Sequence, residues 1–111
     1  MASQTCHLSI LIQFKTKLDF VTMTERYYVY TLLSLKDKKS YTGFTANLKQ
    51  RLQQHARGEV KSTKDRRPLK LIHYEYFLDK DDAIAREVFF KSGFGRKQLK
   101  LALKKTLVNF P

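Results

Sequence analysis

The sequence predicts an α+β domain, in which helices flank a small three-stranded and largely antiparallel sheet. Strand-like and helix-like segments follow one another in the order β-β-α-β-α-α, which is not a repeated βαβ unit. The first two strand-like segments are separated by a short polar turn and therefore form a hairpin. The chain has 111 residues, of which 42% are hydrophobic, so it forms one domain with a modest core.

The predicted hairpin consists of residues 27–34 and 40–44. The first segment, Tyr-Tyr-Val-Tyr-Thr-Leu-Leu-Ser, is rich in the aromatic and β-branched residues that favour strands. Residues 36–39, Lys-Asp-Lys-Lys, form the polar turn. A third strand is predicted over residues 69–77, after a basic loop over residues 59–68 that ends at a proline.

The first helix is predicted between Thr45, as N-cap, and Gly58, as the C-terminal stop. Leu48, Leu52 and Ala56 recur at every fourth position and predict one apolar stripe.

Two more helices are predicted in the last third of the chain. Aspartates open the first of them, where negative charge suits the helix dipole. These aspartates are Asp79, Asp81 and Asp82. Its predicted buried face consists of Ile84, Ala85, Val88 and Phe89. Gly93 and Gly95 are expected to break the chain before a basic helix over residues 96–108, with Leu99, Leu103 and Leu107 along one side.

Residues 1–25 differ in character from residues 26–108, which we predict to be the functional domain. Two interpretations stay open for this N-terminal segment: a non-essential, disordered extension, or an extra edge strand that includes residues 8–12. The apolar run at residues 8–12 is too short to span a bilayer, so no membrane association is expected. The single cysteine, Cys6, fits a protein of the reducing cytoplasm.

The charge balance predicts a polyanionic partner. The chain has 22 Lys and Arg residues against 10 Asp and Glu residues, and its net charge is +12. Neutralising phosphates releases condensed counterions, so nucleic acid is the expected partner. Ordinary solubility is the alternative explanation. The candidate nucleic-acid-binding residues are Lys61, Lys64, Arg66 and Arg67 in the middle loop, and Arg96, Lys97 and Lys100 near the C-terminus.

Five polar residues form the pattern with most chemical content: Tyr30, Tyr41, Arg51, His55 and Glu87. They stand in the segments Tyr-Val-Tyr, Tyr-Thr-Gly, Arg-Leu-Gln-Gln-His and Ala-Arg-Glu. Their order and spacing resemble the GIY-YIG nuclease superfamily, in particular its small stand-alone bacterial members. The resemblance covers residues 26–105. It implies the α+β fold described above and a metal-dependent endonuclease that hydrolyses phosphodiester bonds in DNA, with a role in repair, recombination or processing.

The resemblance also implies a role for each of the five residues. Glu87 would be the ligand of one Mg²⁺ or Mn²⁺ ion, and Arg51 would bind the phosphate through its guanidinium fork. Tyr41 would be the general base, with Tyr30 in support and Arg51 and the metal favouring phenolate. His55 lies on the same helical face as Arg51 and would assist. For each residue a structural role is the alternative, such as an ion pair between Glu87 and Lys91.

The chain departs from the family pattern at two places. Tyr28-Val29 stands where the family name has Gly-Ile, a variation that the small members tolerate. Many active relatives have an asparagine about a dozen residues past the glutamate, where this chain has Leu99. The second departure keeps two other functions open: a non-catalytic nucleic-acid-binding domain with the nuclease fold, and a basic module that binds an acidic protein. Whether the substrate is DNA or RNA also stays open.

Overall fold

The computed structural model describes residues 25–110. The two interpretations of the N-terminal segment fall on residues 1–24, outside that range. The described part contains three strands, a short 3₁₀ turn and four helices. The strands are β1 (Tyr27–Ser34), β2 (Ser40–Thr45) and β3 (Leu69–Phe77), and the 3₁₀ turn is Lys64–Arg66. The helices are α1 (Leu48–Ala56), α2 (Lys80–Lys91), α3 (Gly93–Ala102) and α4 (Lys104–Val108).

The three strands form one antiparallel sheet in the order β2-β1-β3. The central strand β1 pairs Tyr30 with Gly43 on β2 and with Tyr74 on β3. A bulge interrupts the β1–β3 pairing between Thr31 and Leu32. This architecture confirms the predicted α+β fold and all three predicted strands.

The two faces of the sheet have different surroundings. Because side chains alternate along a strand, Val29 points to one face and Tyr30 to the other. On the first face, Val29 packs in the core with Ala83, Phe90 and Leu99 of α2 and α3. We call the opposite face the tyrosine face, after its residues Tyr28, Tyr30, Tyr41, Tyr74 and Tyr76. Helix α1 lies on this face.

Helix α1 begins two residues later than the sequence suggests. Its N-cap is Asn47, whose side-chain oxygen accepts a hydrogen bond from the backbone N–H of Gln50 at 3.1 Å. Thr45 is instead the last residue of β2, and its hydroxyl accepts a bond from the backbone N–H of Asn47. Both residue types suit the position, and the length of β2 decides between them. The predicted stop at Gly58 is confirmed, since its φ is +77° just past the helix end.

The predicted buried faces of α1 and α2 are partly wrong. In α1, Ala56 is exposed and His55 takes the fully buried position. In α2, Ala83 and Phe90 are buried, and Phe89 is half-buried. The other three residues of the predicted face are exposed: Ile84, Ala85 and Val88. The α2 sequence has apolar residues on two sides, and only contact with the sheet selects the side that is buried.

The last helical segment is divided differently from the prediction. Gly93 begins α3 and Gly95 lies inside it, so these glycines do not break the chain. The break between α2 and α3 falls at Ser92, whose hydroxyl accepts a bond from the N–H of Gly95 at 3.0 Å. A second break at Leu103 separates α3 from α4. The expected apolar side is confirmed, because Leu99, Leu103 and Leu107 line one cavity. None of the helices within residues 25–110 combines the length and apolar character needed to cross a membrane.

Candidate active site

Two hydrogen bonds connect a strand, a helix and a loop on the tyrosine face. The hydroxyl of Tyr30 lies 2.8 Å from Nε2 of His55, and Nδ1 of His55 lies 2.7 Å from Oγ1 of Thr63. All three side chains are buried, with at most 1% of each residue exposed. The chain of bonds therefore holds the imidazole at both ring nitrogens.

Burial keeps the side chains of Tyr30 and His55 uncharged. It raises the pKa of Tyr30 well above the ordinary value of a phenol, and the nearby Tyr41 adds to the effect. Burial, followed by the charge on Arg51, lowers the pKa of His55. A neutral imidazole has one donor and one acceptor nitrogen. We therefore assign the Tyr30 hydroxyl as donor to Nε2 and the Nδ1–H of His55 as donor to Thr63.

Two opposing effects act on the pKa of Tyr30. The Arg51 charge does act to lower the pKa of Tyr30, but burial outweighs it. Tyr30 thus stays a protonated phenol that orients His55.

Tyr41 is the tyrosine of the pair that reaches solvent. Its side chain is half-buried, and its ring centroid lies 6.4 Å from that of Tyr30 and 5.3 Å from that of His55. It stands opposite Leu32 in the hairpin, one pleat away from Tyr30 on the same face. Of the two phenols, Tyr41 is therefore the one that solvent can reach.

Gly43 makes room for the Tyr30 ring. It stands directly opposite Tyr30, and a Cβ atom at residue 43 would lie 2.5 Å from Cζ of that ring. Such a distance is far below van der Waals contact. The glycine of the Tyr-Thr-Gly segment is therefore needed for the position of the Tyr30 phenol.

Arg51 and Glu87 lie within electrostatic range of the Tyr30 phenol. The positive charge of Arg51 lowers the pKa of Tyr30, and the negative charge of Glu87 raises it. Arg51 projects from α1 and Glu87 from α2, and both side chains are half-buried. The structure thus brings all five residues of the sequence pattern to one region, with Tyr30 at its centre.

The carboxylate of Glu87 already has one partner. The Nζ of Lys91, four residues further along α2, lies 3.0 Å from Oε2 of Glu87. Lys91 is the more exposed of the two, with 55% of its side chain accessible against 20% for Glu87. The structural alternative for Glu87 therefore exists in the molecule, and an exposed lysine can leave it without disturbing the core.

The donor set available to a metal at this site is a single carboxylate. Within residues 25–110, no three His, Cys, Asp or Glu side chains gather closely enough to hold an ion. Mg²⁺ often takes one or two carboxylates and completes its shell with waters and substrate phosphates. Glu87 fits that use, because its side chain is partly accessible.

The predicted nucleic-acid-binding residues divide between the two faces. Lys64 and Arg67 line a cavity of about 760 Å³ next to His55, together with Lys36 and Leu52. Lys61 is exposed in the same loop. Arg66 is instead held by the hairpin turn, since its Nε donates to the Asp37 carboxylate at 2.8 Å.

The C-terminal basic residues lie away from the phenols. Arg96 and Lys100 line a cavity with Thr31 and Leu33, whose side chains point to the face opposite the tyrosine face. Lys97 is exposed on the same helix. The middle loop is therefore the basic cluster that adjoins the candidate site.

One feature of the site escapes sequence reasoning. Thr63 lies in a loop without periodicity, and only the path of that loop brings it to His55.

Leu99 stands where the family resemblance leads us to expect an asparagine. It is part of the core, and its neighbour Gln98 lines a cavity with Glu75 and Arg86. Neither residue replaces the asparagine at the phenols.

The family model of the GIY-YIG catalytic domain matches residues 26–100. The chain belongs to the GIY-YIG family. The matched range contains all five residues of the sequence pattern and the whole three-stranded sheet.

Several known proteins are similar to this chain in size and sequence. A UPF0213 protein of Haloquadratum walsbyi is 36% identical over 90 residues, which are 80% of this chain and 100% of the relative. A UPF0213 protein of Clostridium perfringens is 38% identical over 81 residues, 72% of this chain and 86% of the relative. The solution NMR structure of the UPF0213 protein BH0048 from Bacillus halodurans is 35% identical, covers 71% of this chain and 85% of its own, and has a TM-score of 0.45. Membership places the chain in a nuclease family.

Proposed function

We propose that this GIY-YIG protein is a metal-dependent endonuclease that hydrolyses phosphodiester bonds in DNA. One observation carries the proposal: a second phenol, an imidazole, a guanidinium and a carboxylate, from three different elements, lie near the buried Tyr30 hydroxyl on β1. Phosphodiester hydrolysis needs a base for the attacking water and positive charge for the phosphate. The set supplies both.

Tyr41 is proposed to accept the proton of the attacking water. It is the accessible phenol, whereas the Tyr30 hydroxyl already donates to His55. His55 has both nitrogens in hydrogen bonds, so its role is to hold Tyr30 and, through it, the position of Tyr41. Arg51 binds the equatorial oxygens of the phosphate in a bidentate manner.

Glu87 is proposed to hold the metal. A bound Mg²⁺ or Mn²⁺ ion supplies Lewis-acid stabilisation of the phosphate and of the leaving oxygen. Lys91 would then turn from the carboxylate towards solvent or the DNA backbone, which its exposure permits. Lys64 and Arg67, beside His55, would contact phosphates that flank the cleaved bond.

The experiment that tests this proposal uses branched, duplex and single-stranded DNA with Mg²⁺, Mn²⁺ or a chelator. We expect cleavage by the wild type with either metal and none with the chelator. Glu87→Ala and Arg51→Ala should each abolish most of the activity. If both variants cleave as the wild type does, the assigned site is wrong.

A non-catalytic nucleic-acid-binding domain is the second candidate. Two observations favour it: Leu99 stands where many active relatives have asparagine, and Glu87 already pairs with Lys91. This candidate predicts tight DNA binding, no cleavage with any metal, and no effect of Glu87→Ala on binding.

By family analogy, we also propose a role in DNA repair, recombination or processing. The single cysteine leads us to propose a cytoplasmic location.

A further inference from the structure

Three tyrosines on the tyrosine face lie outside the proposed reaction. Tyr74 and Tyr76 belong to β3 and are 50% and 51% exposed. Tyr28, on β1, is half-buried and lies beside both of them. Its ring centroid lies 6.0 Å from that of Tyr74 and 6.2 Å from that of Tyr76. We call these three residues the tyrosine platform.

The platform is continuous with the candidate active site. Tyr74 stands directly opposite Tyr30 in the sheet, and Tyr76 directly opposite Tyr28. Tyr28 and Tyr30 are two residues apart on β1, which corresponds to about 7 Å along the strand. A chain that crosses the platform therefore reaches the candidate site within one strand pleat.

Positive charge accompanies the exposed rings. The guanidinium of Arg26 lies over the Tyr76 ring, 5.0 Å from its centroid. The protein as a whole has a net charge of +12. Aromatic rings beside a guanidinium, on an open sheet face, are the arrangement that stacks unpaired bases and contacts their phosphates.

We propose that the tyrosine platform stacks unpaired nucleotides of the substrate next to the phosphate that is cleaved. The inference rests on the proposed function and narrows its substrate to nucleic acid with a single-stranded segment, such as a flap, an overhang or a branch. The bases of a duplex are stacked on one another, so their faces are not available to the tyrosine rings. A fully paired substrate would therefore not bind the platform. The charge of the chain and the contact with Tyr30 favour this occupant over a second copy of the chain or an acidic protein.

The experiment measures binding in the presence of a chelator, so that cleavage plays no part. Fluorescence anisotropy compares a labelled oligothymidylate, an oligouridylate and a DNA duplex on the full-length protein. One stacked base is worth roughly 1–3 kcal/mol, so Tyr74→Ala and Tyr76→Ala should each weaken single-strand binding by about 5- to 160-fold. Duplex binding should change by less than about twofold, because phosphate contacts dominate it.

Conservative and matched variants separate stacking from folding. Tyr74→Phe and Tyr76→Phe keep the ring and should bind single strands as the wild type does. Phe94→Ala removes an aromatic side chain that is 66% exposed on α3, away from the platform, and should leave binding unchanged. The circular dichroism spectra of all variants should match that of the wild type.

Three outcomes would overturn the platform. Tyr74→Ala and Tyr76→Ala could bind single strands as tightly as the wild type. They could lose single-strand and duplex binding equally, or change only the self-association of the protein in sedimentation. Oligouridylate binding tighter than oligothymidylate, with the same loss in the variants, keeps the platform and identifies the substrate as RNA.

The proposed function fails in a different way. A protein that cleaves no nucleic acid but loses single-strand binding in Tyr74→Ala refutes the nuclease and retains the platform. If cleavage depends on Glu87 but single-strand binding is unchanged in Tyr74→Ala, the nuclease proposal stands and the role of the platform is refuted.

Discussion

The hydroxyl of Tyr30 lies 2.8 Å from Nε2 of His55, and this contact joins residues 25 positions apart in the chain. Both groups are buried. Burial raises the pKa of Tyr30 and lowers the pKa of His55, so each group favours its neutral form. The pair is therefore a neutral hydrogen bond between the central strand and helix α1. The ring of the more accessible Tyr41 lies 5.3 Å from that of His55, measured between centroids.

Thr63→Val tests whether the loop residue holds His55 in place. The substitution keeps the shape of the side chain but leaves Nδ1 of His55 without a partner. A buried unsatisfied polar group costs about 1–3 kcal/mol, so the free energy of unfolding should fall by that amount. Urea unfolding measures this change, and Ser62→Ala, at the exposed neighbouring residue, is the control that should leave the stability unchanged. Equal stability of Thr63→Val and the wild type would show that the bond contributes nothing.

Gly43→Ala tests the packing of the Tyr30 ring. The added methyl group overlaps the ring, so either the strand or the phenol must move. Overpacking of this kind costs about 1–3 kcal/mol. Nuclease activity should fall even under conditions where the variant stays folded, because the phenol leaves its hydrogen bond with His55. Gly93→Ala is the matched control, since a Cβ atom there meets no atom within 4 Å. Full activity of Gly43→Ala would contradict the role given to Tyr30.

Arg51→Lys separates the guanidinium fork from the positive charge alone. Lysine keeps the charge but cannot bind two phosphate oxygens in the same geometry. We expect both Arg51→Lys and Arg51→Ala to lower kcat, with the alanine variant about 10²- to 10³-fold below the wild type, as for other groups that stabilise transition-state charge. Lys49→Ala removes an exposed charge from the same helix and should retain full kcat. If Lys49→Ala and Arg51→Ala behave alike, Arg51 acts only through net charge.

The pKa of His55 predicts the pH dependence of stability. Burial and the Arg51 charge lower this pKa in the folded protein, and the unfolded chain regains the ordinary value of about 6.5. Below that pH the unfolded state binds more protons than the folded state, so the stability is complete above about 6.5 and falls as the pH drops towards the folded-state pKa. Asp37 and Glu75, whose pKa values are also lowered, change the stability only at the more acidic pH values where carboxyl groups titrate. Urea unfolding at a series of pH values should show a weaker dependence in His55→Gln than in the wild type, and equal slopes would refute this assignment.

Local sequence was sufficient for the strands, but not for what covers the five residues that the structure brings together. The strand bounds follow from side chains such as Val29 and Thr31, which favour extended backbone wherever they occur. The buried side of α2 was predicted wrongly, because Val88 and Phe90 are both apolar and only the sheet selects one of them. Thr63 gave no signal, since its contact with His55 depends on the path of the loop. The exposure of Tyr74 could not be foreseen either, because it depends on how much of the tyrosine face α1 covers.

The proposed metal-holding role of Glu87 is tested by comparing Glu87→Gln with the wild type in metal-dependent cleavage of a flapped DNA. Glutamine keeps the size of the side chain but removes the charge that would hold Mg²⁺ or Mn²⁺. The matched control is Glu59→Gln, at an exposed glutamate paired with Arg57 outside the site. We expect loss of cleavage in Glu87→Gln at every metal concentration, with DNA binding retained and Glu59→Gln fully active. Cleavage by Glu87→Gln at the wild-type rate and with the same metal requirement would contradict this role.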